Sequence, residues 1–166
     1  MAEKDKVLTE KIKRVGIFNY KDTYQFVYNW LNEEGYGVEE KKYVEEIQGD
    51  AKKIEIIWTA GKKVSDYFKN ELKLSWSILG MKNVEVEKDG KRIKMNDGSF
   101  EIKISGTLVK DYQSTWEKNP TSKFLRGVYD KFIIEGRIEQ YQDNVAGNVH
   151  DLINDLKSFL TIEAKA

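Results

Sequence analysis

The chain has 166 residues, with 28 Lys and Arg residues against 28 Asp and Glu residues, so its formal net charge is zero. This balance argues against a dedicated nucleic-acid-binding protein, because such proteins usually carry a clear positive excess. The absence of cysteine excludes disulfide scaffolds, thiolate metal sites and cysteine nucleophiles.

The length predicts a single domain spanning 1–166, large enough to fold without a disulfide or a metal ion. The first residues, MAEKDKVLTEKIKR, carry charges throughout and do not resemble a signal or transit peptide. The apolar runs are only a few residues long, so we expect no transmembrane segment and a cytoplasmic location.

The first predicted elements are an edge strand and an amphipathic helix. Ile12, Val15 and Ile17 alternate imperfectly and predict an edge strand within 11–19. Helical spacing follows, with Asn19 or Asp22 as the N-cap and Gly35 as the terminator. The residues of this helical stripe are Tyr20, Tyr24, Val27, Tyr28 and Leu31.

Two further aromatic residues widen the apolar arc of this helix. Phe26 and Trp30 lie off the stripe, so the arc spans roughly 200°, about twice what a surface helix needs. The helix is therefore either covered on two sides or presents Phe26 and Trp30 to a partner.

Residues 36–111 show the alternation of antiparallel strands with one buried and one wet face. Asp89-Gly90 is a two-residue hairpin signal, and Asn96-Asp97-Gly98 predicts a second turn of similar kind. Gly106 falls on the inward face, where it predicts a bulge or the close approach of a helix. The large inward-facing residues are Trp58, Phe68, Trp76, Ile78, Phe100 and Ile104.

A long helical region is predicted over 121–162, with a break near Gly136. Its second half carries a heptad-like stripe, which suits packing either on the chain's own sheet or on a second copy in a dimer. The stripe residues are Ile138, Tyr141, Val145, Val149, Leu152, Leu156 and Phe159. The predicted fold class is thus α+β, an antiparallel β-meander sheet packed against an aromatic-rich N-terminal helix and a long C-terminal helical segment.

This order of a strand, a helix, five or six antiparallel strands and a long C-terminal helix resembles the helix-grip fold of the START and pollen-allergen superfamily. The resemblance lies in the order of elements over most of the chain, not in a diagnostic motif. It implies a sheet wrapped around the last helix, with an apolar ligand held between them. It assigns no functional residue.

Candidate catalytic residues are few, and each has a simpler structural explanation. His150 is the single histidine, has no neighbouring ligand motif, and is expected to be a solvated helix residue. Glu85 and Glu87 share a strand face and form a possible carboxylate pair, but residues opposite them such as Arg92 or Lys94 favour ordinary wet-face pairing. We therefore predict no enzyme, no metal and no cofactor.

The aromatic content, 12% of the chain, is the most informative feature. It is explained by an aromatic core, or by a pocket in which Tyr hydroxyls and Trp N–H groups orient an apolar ligand. Our first hypothesis is a binding protein that holds an apolar or amphipathic small molecule between the sheet and the C-terminal helix. The alternative is a protein-interaction or homo-oligomeric assembly protein that uses its helical stripes. The residues expected to line the ligand site are Trp58, Phe68, Trp76, Ile78, Ile104 and Tyr141.

Overall fold

The computed structural model describes residues 3–110, 124 and 135–164. Five antiparallel strands form one sheet in the order β1-β5-β4-β3-β2. Helices α1 and α2 pack on one face of this sheet, which confirms the predicted α+β class. The elements in chain order are β1 (Glu3–Phe18), α1 (Tyr20–Glu33), β2 (Gly37–Gln48), β3 (Ala51–Lys63), β4 (Phe68–Lys88), β5 (Lys91–Lys110) and α2 (Glu135–Ala164).

The two edge strands of the sheet, β1 and β2, join it in different ways. Strands β2 to β5 form a meander, whereas β1 pairs with β5 and so lies at the edge opposite β2. The predicted edge strand within 11–19 is confirmed, although β1 begins earlier, at Glu3. Helix α1 carries the chain from one edge of the sheet to the other.

Helix α1 has the predicted termini. The Asn19 side chain accepts a hydrogen bond from the backbone N–H of Asp22 at 3.0 Å and caps the first turn. Gly35 adopts a φ of 90° and ends the helix, with the Tyr36 N–H bonded to the Leu31 carbonyl at 2.8 Å. Thr23, Val27 and Leu31 form the buried face of α1.

The C-terminal stripe packs on the chain's own sheet. Val145, Val149, Leu152 and Leu156 are completely buried, and α2 contacts β1, β5 and β4. The predicted break near Gly136 falls beside the first described residue of α2, and residues 121–123 and 125–134 of the predicted helical region lie outside the described residues. Within those residues, neither α1 nor α2 combines the length and apolar character needed to cross a membrane.

The predicted turn at Asp89-Gly90 is confirmed, with both residues at positive φ between β4 and β5. The second predicted turn, at Asn96-Asp97-Gly98, is wrong because these residues lie inside β5. Gly98 is instead needed for close strand approach, since a Cβ there would lie 3.0 Å from both the Leu79 carbonyl oxygen and the Met81 Cα.

Candidate functional site

A groove of about 270 Å³ opens between the N-terminal end of α1 and the edge strand β2. Its walls are Tyr20, Lys21, Tyr24 and Tyr43. Tyr20 and Tyr24 are four residues apart and therefore share one face of α1. Tyr43 faces them from the helix side of β2, where it is 44% exposed. We call this feature the tyrosine groove.

Hydrogen bonds hold the walls of the tyrosine groove. The hydroxyls of Tyr20 and Tyr43 lie 2.9 Å apart and tie α1 to β2. The Tyr24 hydroxyl donates to the Glu40 carboxylate at 3.0 Å. The same carboxylate oxygen accepts the indole N–H of Trp58 at 3.1 Å, so Glu40 links the groove to the interior beneath it.

An aromatic cluster lies directly under Tyr24. The Tyr24 ring meets Trp58 edge-on at 4.9 Å between centroids and lies 6.0 Å from Trp76. The two indoles lie 5.1 Å apart, and Trp76 meets Phe100 edge-on at 5.8 Å. Trp58 is 1% and Trp76 2% exposed, so Tyr24 separates the open groove from a buried aromatic interior.

One polar atom in this interior is unsatisfied. The Trp76 Nε1 is buried and has no hydrogen-bond partner among the residues described. A buried donor without an acceptor costs about 1–3 kcal/mol, which is why native proteins contain few of them. The Trp76 side chain is only 2% exposed, so bulk solvent does not supply an acceptor for this N–H.

The local electrostatics keep the groove tyrosines protonated. Burial, followed by the hydrogen bond to Glu40, raises the pKa of Tyr24 from 10.0 to about 12. Burial and the contact with Tyr43 raise the pKa of Tyr20 even further. Burial also raises the pKa of Tyr36, which lies under α2.

These shifts predict a loss of stability in base. Above pH 10 the unfolded chain releases tyrosine protons that the folded protein retains, so unfolding releases protons and becomes more favourable as the pH rises. We expect the melting temperature to fall between about pH 10 and 12. A Tyr20→Phe/Tyr24→Phe variant should show a shallower slope over the same range. An equal slope in both proteins would contradict the assignment.

A separate polar cluster joins the sheet to α2. Asn70 is completely buried on β4, and its Nδ2 donates to Asn144 at 3.0 Å and more weakly to the Tyr36 hydroxyl at 3.4 Å. The Asn148 Nδ2 donates to the same hydroxyl at 2.7 Å. Close by in the sequence, Phe68 stacks on Tyr141 at 4.3 Å. Stacked rings and hydrogen-bonded amides thus occupy this part of the space under α2, although the buried Asn70 Oδ1 has no hydrogen-bond partner among the described residues.

The six residues predicted to line a ligand site lie in different parts of one continuous core, which Tyr141 borders. Trp58 and Trp76 contact each other under α1, whereas Phe68 and Tyr141 contact each other under α2. Ile78 and Ile104 are completely buried in the same continuous core. The role of these six in binding a ligand stays a prediction.

The two aromatics proposed as an interaction surface have partners within the chain. Phe26 stacks on Phe159 of α2 at 4.5 Å. The Trp30 indole N–H donates to Asp155 at 2.8 Å. Helix α1 is thus covered on two sides, by the sheet and by α2, which accounts for its wide apolar arc. An assembly role for Phe26 and Trp30 stays a prediction.

The acidic and histidine candidates occupy ordinary positions. Glu85 stands opposite Lys94, and Glu87 stands opposite Arg92, across the β4–β5 hairpin. His150 is 62% exposed, with its Nδ1 3.2 Å from a Glu10 carboxylate oxygen. Across residues 3–110 and 135–164, no three His, Asp or Glu side chains converge into a group able to hold a metal ion.

The sequence pattern places Tyr24 on the helix stripe. It does not identify Lys21 and Tyr43 as walls of the groove beside Tyr24, or Glu40 as the acceptor for Tyr24 and Trp58. The register of β2 against β3 shifts between Glu40 and Lys42, so β2 does not show simple alternation. The residue pattern alone therefore does not tell which face of β2 Tyr43 occupies. In comparisons with known proteins, no family model, curated protein or solved structure matches this chain.

Proposed function

We propose that this protein is a non-catalytic binding protein for an amphipathic small molecule, which enters through the tyrosine groove and reaches the aromatic cluster beneath Tyr24. The observation that carries the proposal is the buried Trp76 Nε1 in that cluster, which has no hydrogen-bond partner within the described part of the chain. An acceptor atom on the ligand would satisfy this donor and offset the cost of its burial. The apolar body of the ligand would lie against the rings of Trp58 and Trp76.

The position of Tyr24 supports an entry route. Its ring forms both a wall of the groove and the lid over the two indoles. Its hydroxyl is fixed by the exposed Glu40 rather than by a buried group. Rotation of Tyr24 toward solvent would join the groove to the cluster, and partly exposed side chains change rotamer rapidly.

The titration behaviour favours binding over catalysis. A general acid or base works best when its pKa lies near the working pH. The pKa of Tyr24 is raised to about 12, and that of Tyr20 is raised as well, so both hydroxyls stay neutral at physiological pH. They serve as hydrogen-bond donors and acceptors that orient a ligand.

The strand order adds support by analogy only. In the helix-grip fold that the element order resembles, many members hold an apolar ligand between the sheet and a helix. In this chain β1 pairs with the last strand, and α2 lies across the same sheet. Because fold does not fix function, the proposal depends on the Trp76 donor and the groove.

Replacing Trp76 by Phe tests the proposal. Trp76→Phe removes this N–H and keeps an aromatic ring, so the stability lost through looser packing is partly offset by removal of the unsatisfied donor. We expect the affinity for a fluorescent amphipathic probe, anilinonaphthalene sulfonate, to fall about tenfold, which corresponds to one lost hydrogen bond of about 1.4 kcal/mol. Titration of probe fluorescence measures this change.

Trp58→Phe is the matched control, because the Trp58 N–H is already bonded to Glu40 and is not free for a ligand. It removes the same indole-to-phenyl area from the same cluster. We expect its probe affinity to stay within about threefold of the parent protein. No saturable binding, or equal losses in both variants, would refute the proposal. Native mass spectrometry of the purified protein then shows whether a small molecule co-purifies.

A further inference from the structure

The face of the sheet opposite the helices is divided by charge. On its β2–β3 half, lysines pair with acids, for example Lys42 and Lys53 with Glu55 at 3.2 and 3.4 Å. The hydrogen bonds from Lys42 and Lys53 lower the pKa of Glu55. This interleaving of opposite charges is what a stable wet sheet face normally shows.

The half formed by β4, β5 and β1 is different. Lys11 stands directly opposite Lys103 in the β1–β5 register. Lys73 faces Ser105 on the neighbouring pair of strands and so lies diagonal to Lys103. These lysines are exposed, and none of the three is ion-paired within the part of the chain that the structure describes. Like charges directly opposite each other destabilise a sheet, so this arrangement is maintained against a cost.

Small hydroxyl residues form the floor between the lysines. They leave a groove of about 300 Å³, which we call the lysine groove. The one acid in its wall, Glu71, lies 3.5 Å from the Lys4 ammonium and is partly neutralised by it. The lining residues are Lys6, Glu71, Lys73, Ser75, Lys103, Ser105 and Thr107.

The zero net charge of the chain conceals this positive face. Acidic residues outnumber basic ones on α2, on the other side of the sheet. The exposed acids there include Glu139, Asp143, Asp151 and Asp155. The protein is therefore polarised, and a composition-based argument against anionic ligands does not apply to the lysine groove.

We propose that the lysine groove is a second binding site, which takes a compact ligand carrying several phosphate groups. Ammonium groups from Lys6, Lys73 and Lys103 supply point charges, and the Ser and Thr hydroxyls supply neutral donors to phosphate oxygens. Neighbouring strands are about 4.8 Å apart, so the lysines spread over a width that suits more than one phosphate group. Lys11, beside Lys103, adds a further charge at the rim.

The groove favours a small phosphorylated ligand over a nucleic acid strand. Single-stranded nucleic acids are bound by a positive surface combined with aromatic side chains on which bases stack. The outward positions of β4, β5 and β1 around the groove hold Lys, Ser, Thr and Glu residues and no aromatic residue. This face therefore offers groups that bind phosphate but no ring on which a base could stack.

Isothermal titration with inorganic tripolyphosphate tests the proposal. We expect saturable binding that weakens as salt is added, because exposed charges are screened. A Lys73→Glu/Lys103→Glu variant should lose at least about tenfold in affinity, since charge-assisted hydrogen bonds are replaced by repulsion. Lys91→Glu is the matched control, because Lys91 also faces a lysine, Lys88, but at the far end of the hairpin.

The single variant Lys103→Glu separates binding from folding. It places a carboxylate directly opposite Lys11 in place of a second ammonium group. The melting temperature without ligand should therefore rise by up to about 3 °C. Tripolyphosphate binding should nevertheless fall. Loss of binding in a protein that is at least as stable as the parent excludes misfolding as the cause.

A binding experiment with lipid vesicles distinguishes a soluble phosphorylated ligand from a phosphorylated lipid headgroup. Binding of tripolyphosphate alone indicates a free ligand, whereas additional binding to vesicles containing a polyphosphorylated lipid, displaced by tripolyphosphate, indicates a headgroup. Absent binding, unchanged affinity in Lys73→Glu/Lys103→Glu, or equal affinity for oligoglutamate overturns the proposal. Tight binding of an oligonucleotide that tripolyphosphate does not displace also overturns it.

Discussion

Gly106→Ala is expected to destabilise the protein by about 1–3 kcal/mol, although it adds a single methyl group. Gly106 is on β5 under α2, and a Cβ there would lie 2.8 Å from Val145 Cγ1 and 3.0 Å from Val149 Cγ2. The Leu8 side chain closes the third side at 3.0 Å. The new methyl group therefore forces α2 away from the sheet along the part of the helix that is best buried.

Gly147→Ala provides the matched control for this substitution. Gly147 lies on α2 between Val145 and Val149 but on the opposite, exposed face of the helix, and nothing lies within 4 Å of the position its Cβ would take. We expect Gly147→Ala to stabilise the protein by up to about 1 kcal/mol, because alanine favours a helix more than glycine does. Chemical denaturation of both variants measures the difference in sign.

A double-mutant cycle tests whether the loss of stability in Gly106→Ala comes from contact with Val145. Val145→Ala removes the atom closest to the new methyl group, so it should be less destabilising in the Gly106→Ala background than in the parent. A coupling energy of about 0.5–3 kcal/mol is expected for residues in direct contact. If Gly106→Ala and Gly147→Ala have the same effect, α2 does not approach β5 as closely as described.

The close approach at Gly106 was one of two alternatives that the sequence offered. Alternation placed Gly106 among inward-facing residues, and a glycine there implies a bulge or a near neighbour. Alternation of apolar and polar residues also predicted the buried faces of β3, β4 and β5 correctly. These features were predictable because one face of each strand is buried, which imposes a period of two on its sequence.

Strand ends and local irregularities were less predictable. Asn96-Asp97-Gly98 has the composition of a turn, yet Asn96 lies within β5. Its Oδ1 accepts the N–H of Tyr20, the first residue of α1, at 2.9 Å. Its Nδ2 donates to Asn83 on β4 at 3.1 Å. Composition identifies residues that favour turns, but a long-range hydrogen bond to α1 is a property of the assembled fold.

In the candidate site, too, some features were predictable from the sequence and others were not. A pocket in which Tyr hydroxyls and Trp N–H groups orient a ligand was one interpretation of the sequence, and Trp58 and Trp76 were named because alternation places them on inward strand faces. It did not indicate that Trp58 is bonded to Glu40 while Trp76 has no partner among the described residues. That distinction depends on where the two indole nitrogens point, which is decided by packing rather than by alternation.

Trp58→Ala is expected to destabilise the protein more than Gly106→Ala does. Trp58 is buried at the centre of contacts with Tyr24, Tyr28 and Trp76, and truncation of a buried Trp costs about 3–5 kcal/mol. We expect the melting temperature to fall by roughly 6–20 °C, at about 2–4 °C per kcal/mol for a chain of this size. Ile47→Ala is the control, because Ile47 is 77% exposed and should change stability by less than about 0.5 kcal/mol.

Added indole should partly restore the stability of Trp58→Ala. The substitution leaves a space lined by aromatic rings, and apolar cavities of this kind bind small aromatic molecules. Indole also supplies the N–H that Glu40 normally accepts from Trp58, whereas N-methylindole does not. We therefore expect a rise in melting temperature that grows with indole concentration and is smaller with N-methylindole. Equal rescue by the two compounds would show that the Glu40 hydrogen bond contributes nothing, and absent rescue would show that the cluster collapses around the missing ring.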